Sequence, residues 1–185
     1  MLKNRSFIFI ILLAMIACSN VTNQNGNGNA PGDEKVVAQE GYKEIQIGDS
    51  ITVSVPDNWV VVDTAKLFGA KEECQDSFCT NFVCYAMEGA GELTPQQLGE
   101  QFLKSQQSNT EGFKLIDSGI KKDSSAVSFE YLLAREGLRL GGTTVIFFRG
   151  KNAIVFSFAG YNGTNMAYAK TRVIVGNIIS SIRFY

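Results

Sequence analysis

The chain has 185 residues, with 17 basic and 18 acidic side chains, four cysteines and no histidine. Without histidine it can form no Ser-His-Asp triad, no Cys-His dyad and no histidine-ligated zinc, copper or haem site. A formal charge of −1 gives no electrostatic reason to expect nucleic acid as a partner.

The first 17 residues have the pattern of an export signal. Lys3 and Arg5 precede an unbroken apolar run of eleven residues that ends at Ala17. A membrane-spanning helix needs about 20 residues, so this run fits the hydrophobic region of a secretory signal peptide. Met15-Ile16-Ala17-Cys18 resembles a bacterial lipobox, with Met where Leu is usual, which implies cleavage before Cys18 and lipid on its thiol. A plain signal peptide cut near Ala17 and an uncleaved membrane helix are the alternatives.

Residues 18–39 are predicted to form a flexible tether, because Ser19 to Gly32 is rich in Asn and Gly and has almost nothing to bury. Loss of Lys3 and Arg5 would leave 15 basic against 18 acidic groups, so lipid rather than a basic patch would hold the protein at the membrane. Ser19, with no aspartate beside Cys18, is compatible by resemblance with outer-membrane delivery. We therefore expect a lipid-anchored protein of the bacterial cell envelope, in the outer membrane and facing the periplasm.

From residue 40 to 185 the pattern predicts one domain that begins with strands. Gly48-Asp49-Ser50 and Pro56-Asp57-Asn58 are turn signals, and Arg149-Gly150-Lys151-Asn152 has the composition of a tight hairpin. Alternating apolar residues and β-branched or aromatic runs predict strands near 45–47, 51–55, 59–62, 82–87, 127–131, 143–148 and 153–158.

Two helices are predicted. Thr94 with Pro95 and Gln97 forms a capping-box pattern, and the helix that it opens should end near Asn109. A second helix is expected over 165–181, because isoleucine recurs every fourth residue from Ile174. A strand is its alternative, since Val and Ile favour strands. Short connections between strands favour antiparallel pairing, so the fold class is α+β, one antiparallel sheet flanked by helices.

These elements resemble the PsbP/DcrB-like domain family. The resemblance rests on the following segments: Val53 to Trp59, the helix that starts at Leu93-Thr94, Gly112 to Ile116, Phe129 to Tyr131, the hairpin at Gly150-Lys151, and the closing helix that leads into 180–184. It implies an α/β/α sandwich over nearly all of 43–184. Members of this fold serve as accessory subunits, partner-binding modules and envelope lipoproteins, and the fold has no shared catalytic residue.

Three thiols remain after Cys18. Cys79 and Cys84 on one strand would lie about 16 Å apart, beyond the limit of about 7 Å for a disulfide. Cys84 alternates with Phe82, which is typical of a small buried hydrophobe. We predict a Cys74–Cys79 disulfide, with Cys74–Cys84 as the alternative. A metal site on Cys74, Cys79 and Cys84 would lack the usual zinc spacing and a fourth ligand, and a redox switch would lack Cys-x-x-Cys.

Carboxylates and the single tryptophan give weaker signals. Asp57, Asp63 and Glu72 fit solvated surface and turns better than a catalytic pair. Trp59 beside a valine run is expected in the core, with ligand or partner contact as its alternative. We therefore expect the protein to be an anchored, non-catalytic module that binds an envelope protein, and not an enzyme. We expect it to use no cofactor. A small-ligand or metal binder on the cysteine loop is the alternative, and a carboxylate hydrolase is less favoured.

Overall fold

The computed structural model describes residues 40–64, 67–73, 79–119, 126–135, 137–161 and 165–185. The helices are α1 (Pro95–Asn109) and α2 (Asn165–Ser181), and a 3₁₀ turn spans Ala90–Glu92. The strands are β1 (Tyr42–Ile47), β2 (Ile51–Pro56), β3 (Trp59–Thr64), β4 (Leu67–Glu72), β5 (Asn81–Met87), β6 (Lys114–Ser118), β7 (Ala126–Arg135), β8 (Leu138–Arg149), β9 (Asn152–Tyr161) and β10 (Arg183–Phe184). The α+β class is confirmed.

The described strands form two antiparallel sheets. The large sheet has the order β3-β4-β5-β9-β8-β7-β6, and the small sheet has the order β1-β2-β10. The predicted hairpin joins β8 to β9, where Arg149 pairs with Asn152 and Gly150 has a φ of 59°. A positive φ costs glycine little because it has no Cβ, so this turn can be tight.

Each face of the large sheet carries its own core. Along β9, Phe156 and Phe158 pack with Val175 and Ile178 of α2 and with the small sheet, and we call this the α2-side core. Ala153 and Val155, which point to the other face of the sheet, pack with residues of α1 and β7, and we call this the α1-side core. Successive strand residues point to opposite faces of the sheet. Because both alternating sets of residues in β9 are apolar, other elements must pack on both faces of the sheet. The predicted α/β/α sandwich is confirmed.

The small sheet was not predicted as a separate unit. Val53 and Val55 of β2 are fully buried against α2 instead of extending the large sheet. The Ser54 N–H donates to Ser181 Oγ at 2.8 Å, and the Tyr185 N–H donates to the Ser50 carbonyl at 3.0 Å. These long-range bonds hold β10, a strand of two residues that is too short to have a periodic signal in the sequence.

At two positions of the large sheet, the absence of a side chain on glycine lets a neighbouring group come close to the backbone. A Cβ on Gly69 of β4 would lie 2.6 Å from the Phe82 carbonyl oxygen, and one on Gly142 of β8 would lie 2.2 Å from the Tyr131 ring. The Gly141-Gly142 pair predicts a bulge from the sequence alone, and this prediction is wrong, because β8 keeps a regular register with both neighbours there. The glycine makes room for an aromatic ring instead.

Helix α1 begins as its sequence predicts. The Gln97 N–H donates to Thr94 Oγ1 at 3.2 Å, and the Thr94 N–H donates to Gln97 Oε1 at 2.9 Å. Pro95 occupies the start of the helix, where no intrahelical donor is needed. The helix buries Leu98 and Phe102 in the α1-side core. Among the described residues, neither α1 nor α2 is long and apolar enough to cross a membrane.

Replacing Thr94 with alanine should lower the free energy of unfolding by about 1 kcal/mol, because the Gln97 N–H loses its acceptor. Urea unfolding monitored by circular dichroism measures this change. Thr94→Ser keeps the hydroxyl and is the matched control, with an expected loss well below that of the alanine variant. Equal losses in both variants would show that the cap is not the cause.

Helix α2 covers the predicted residues and lies close to β9. A Cβ on Gly160 would approach Thr171 Cγ2 to 2.4 Å, so the missing side chain lets helix and strand meet. Arg172 Nε lies 2.9 Å from Glu130 Oε1 of β7, which joins the helix to a second strand. The glycines at 160 and 163 predict a turn from the sequence alone, but Gly160 lies within β9 and makes room for the helix.

Candidate protein-binding surface

The predicted cysteine sites are only partly described. Cys18 and Cys74 lie outside the described residues, so lipidation and the Cys74–Cys79 pairing stay predictions. Cys79 is disulfide-bonded. Cys84 is a free thiol buried in the α2-side core, as the alternation with Phe82 predicted.

Burial makes Cys84 a poor metal ligand. Loss of solvation raises the pKa of its thiol from 9.0 to about 12, so the thiolate that a metal requires is scarce at neutral pH. Among the described residues, no group of three or more Cys, Asp or Glu side chains is placed to hold a metal ion. The alternative of a metal site on Cys74, Cys79 and Cys84 thus loses one of its ligands.

Cys84 should resist alkylation in the folded protein. A pKa near 12 rather than 9.0 lowers its thiolate population at pH 8 about a thousandfold. Iodoacetamide labelling at pH 8 with peptide mapping should show unmodified Cys84 in native protein and complete modification in urea. If the peptide map is made without a reducing agent, it should also contain the Cys74 and Cys79 peptides linked by a disulfide. Labelling of Cys84 at the unfolded rate would contradict its burial.

The candidate carboxylates do not converge. Asp57 and Asp63 are exposed, and Glu72 is half-buried. In the β3–β4 hairpin, Glu72 lies opposite Trp59, whereas Asp63 lies opposite Phe68. Four residues along a strand separate these positions by about 13 Å. The described geometry therefore places Asp63 and Glu72 at opposite ends of the hairpin.

Trp59 packs in the core, as expected, and only 2% of its surface is exposed. Its ring stacks near Phe82, with 6.4 Å between ring centroids. Its backbone carbonyl points to the edge of the sheet and accepts a hydrogen bond from Lys43 Nζ at 2.7 Å. The indole thus anchors β3 in the α2-side core, while its main chain faces the sheet edge.

A chain of buried hydroxyls, which no local sequence pattern predicts, crosses the α1 side of the sheet. Tyr131 Oη lies 3.1 Å from Thr144 Oγ1, which lies 3.2 Å from Ser157 Oγ. Burial raises the pKa of Tyr131, although the hydrogen bonds to Thr144 and Ser157 partly oppose this rise. The phenol therefore stays protonated at neutral pH. The chain therefore satisfies the buried polar groups of three neighbouring strands.

The two outer strands of the large sheet differ. Strand β6 carries Lys114 and Asp117, and its pairing with β7 shifts register between Leu115 and Asp117. Charges and bulges are features that keep an edge strand from pairing with another chain. Strand β3 begins Trp-Val-Val-Val and pairs with β4 without a shift. Of the two described outer strands of the large sheet, β3 is therefore the one with an uninterrupted register.

The direction of the β3 backbone groups follows from its neighbour. The Glu72 N–H donates to the Thr80 carbonyl, away from Trp59, so these two opposed residues form a non-hydrogen-bonded pair. The N–H and C=O groups of Trp59 then point to the free edge, and those of Val61 and Asp63 do the same by alternation. The Trp59 carbonyl already accepts a hydrogen bond from Lys43 Nζ. Val61 and Asp63 present their donors and acceptors outward.

Side chains complete this surface, which we call the β3 edge (residues 59–64 with Lys43). Val60 is 44% exposed and lies on the same sheet face as half-buried Val62, opposite the face of Trp59. Lys43 Nζ also donates to the Asp57 carbonyl at 2.8 Å, which fixes a positive charge at one end. The β3 edge thus combines outward backbone groups, apolar side chains and one ordered cation.

Comparison with known proteins places the fold. No family model matches the chain, and no curated protein does. Solved structures that are similar at low sequence identity include the following three. The Ran-binding protein Mog1p of Saccharomyces cerevisiae has a TM-score of 0.57 at 9% identity, over 77% of this chain and 94% of that one. PsbP of the cyanobacterium Synechocystis sp. PCC 6803 has a TM-score of 0.57 at 12% identity, over 83% and 98%.

The third structure is LpqN of Mycobacterium tuberculosis, described as involved in cell envelope biogenesis, with a TM-score of 0.52 at 15% identity, over 77% of this chain and 90% of that one. At these identities the likeness shows the fold alone. The chain therefore contains an α+β domain of the PsbP/Mog1-like fold. The resemblance drawn from the sequence is confirmed at that level.

Proposed function

We propose that this protein is a lipid-anchored lipoprotein of the bacterial cell envelope whose PsbP-like domain binds a protein partner without catalysis. The observation that carries the proposal is the β3 edge, where Val61 and Asp63 offer unpaired backbone groups beside exposed Val60. An edge strand of this kind can add a strand from another chain, with backbone bonds for affinity and alternate side chains for specificity.

Two observations support a non-catalytic role. Asp63 and Glu72 lie at opposite ends of one hairpin, so they cannot act as a close pair on one bond. Tyr131 is 3% exposed, and its hydroxyl is held in a buried hydrogen-bond chain rather than presented to solvent. Other proteins of this fold include one described as Ran-binding and one described as involved in cell envelope biogenesis.

The anchor is proposed from the sequence around Cys18. Several acyl chains on this residue would hold the mature protein at the membrane, because more than one chain anchors stably. Cys18→Ala should move the protein from the membrane fraction to the soluble fraction of lysed cells. Ser19→Ala is the matched control and should leave it in the membrane. A Cys18→Ala protein that stays fully membrane-bound would refute the lipid anchor.

Crosslinking in intact cells followed by pull-down and mass spectrometry tests the partner. Val60→Lys places a charge on the β3 edge and should reduce recovery of the crosslinked partner roughly tenfold, which corresponds to about 1.4 kcal/mol. Ile116→Lys on β6 is the matched control, since Ile116 is 46% exposed and Val60 is 44% exposed. Equal recovery with both variants would place the partner elsewhere, and an empty pull-down with the wild-type chain would argue against the proposal.

A further inference from the structure

We propose that the partner at the β3 edge is a second copy of this chain, paired antiparallel through β3 with Val62 opposite Val62. The inference rests on the proposed role of the β3 edge as a protein-binding surface and names its occupant. The two large sheets would then form one continuous sheet about a two-fold axis. Such an interface is isologous, since each copy contributes the same strand.

Backbone geometry favours this register. With Val62 at the axis, Val61 of one copy lies opposite Asp63 of the other. Both residues point their N–H and C=O groups to the free edge, as the Glu72–Thr80 hydrogen bond requires. Each Val61–Asp63 pair can then exchange both of its hydrogen bonds. The Trp59 carbonyl, which Lys43 already occupies at 2.7 Å, is not needed.

Side chains match in the same register. On the face opposite Trp59, Val62 meets its own copy and Val60 meets Thr64 of the second copy. Val60, 44% exposed in the single chain, becomes covered by this contact. Opposed β-branched residues are favourable cross-strand pairs. Asp63 faces Val61 rather than the other Asp63, so no like charges oppose each other.

The charge at the edge is also complementary. Lys43 Nζ is fixed beside the Trp59 carbonyl by its bonds to the carbonyls of Asp57 and Trp59. In the Val62-centred register, Asp63 of the second copy lies opposite Val61, one strand repeat of about 7 Å from Trp59. The pairing therefore brings the charge of each Lys43 near the opposite charge of Asp63 of the other copy, at a distance comparable to the Debye length at physiological ionic strength, twice per dimer.

Cysteine crosslinking of the full chain in intact cells tests the register. Residues in a non-hydrogen-bonded antiparallel pair have Cα atoms about 4.5 Å apart, within the range for a disulfide. Val62→Cys should therefore give a dimer on a non-reducing gel. Val60→Cys is the matched control on the same face, because two copies of residue 60 would lie about 13 Å apart. Val60 is the more exposed of the two, so random collision would favour the control.

We expect at least a tenfold higher dimer yield for Val62→Cys than for Val60→Cys. Adding Val61→Pro to Val62→Cys should abolish the dimer, because proline removes an outward donor. Proline is tolerated on an edge strand where its nitrogen faces away from the sheet, and an unchanged melting temperature would confirm that the fold is kept. A yield for Val60→Cys equal to that for Val62→Cys would overturn the proposal.

The outcomes separate this inference from the proposed function. No Val62→Cys dimer, together with a different envelope protein recovered by pull-down in a Val60-dependent way, would overturn self-pairing and leave the protein-binding role intact. No dimer and no recovered partner would overturn both. A Val62→Cys dimer that Val61→Pro removes would support the second copy as the occupant.

Discussion

Replacing Phe82 with alanine should lower the free energy of unfolding by about 3–5 kcal/mol. Phe82 is 1% exposed and lies at the centre of the α2-side core. Its ring centroid lies 6.4 Å from that of Trp59, 6.0 Å from that of Phe156 and 5.4 Å from that of Phe158. Truncation removes buried apolar area and leaves a cavity that three aromatic neighbours cannot fill without leaving their own contacts.

Chemical denaturation of the folded chain measures this loss. Domains are commonly stable by about 5–15 kcal/mol, so the variant should unfold at a much lower denaturant concentration. Val173→Ala is a control on α2, because Val173 is 63% exposed and surface substitutions usually change stability by about 0.5 kcal/mol or less. A loss below about 1 kcal/mol for Phe82→Ala would contradict this description of the core.

The second large effect concerns Gly142. Alanine there should destabilise the fold by about 1–3 kcal/mol, because the new Cβ would lie 2.2 Å from Cε2 of the Tyr131 ring. The ring cannot move aside easily, since Tyr131 is 3% exposed and its hydroxyl is bonded to Thr144. Any shift would also disturb the ring of Phe102, 6.4 Å away between centroids.

Gly176 supplies a comparison of opposite sign. It lies in α2, where an added Cβ has nothing within 4 Å. Alanine in a helix is favoured over glycine by up to about 1 kcal/mol, so Gly176→Ala should stabilise the protein. Thermal unfolding of the two variants should shift in opposite directions. A stabilising Gly142→Ala would show that the space beside Tyr131 is larger than described.

Local chemistry accounts for most of what the sequence predicted. Three signals act over a few residues each: the capping box at Thr94, the four-residue spacing of isoleucines from Ile174, and the alternation around Val53. Each produced the expected helix or strand. The class of fold followed from their order. These signals are local because hydrogen bonds of a cap or helix, and the two faces of a strand, are set within one turn or a few residues.

Features that depend on distant pairing were not predictable in the same way. Tyr131, Thr144 and Ser157 lie 13 residues apart on three neighbouring strands, so their hydroxyl chain exists only once strand order and register are fixed. The β3 edge is a similar case. The valine run at 60–62 predicts a strand, but only the topology places that strand at the border of the sheet. Strand β10 likewise depends on its long-range pairing with Ile51 and Thr52 of β2.

Site-specific photocrosslinking tests most directly whether the β3 edge binds protein. A photoreactive amino acid at position 60 or at position 116 samples the two edges of the large sheet at nearly equal exposure, 44% and 46%. We expect a discrete crosslinked protein from position 60 in intact cells, and none from position 116. Equal labelling from both positions, or a discrete product from position 116 alone, would contradict it.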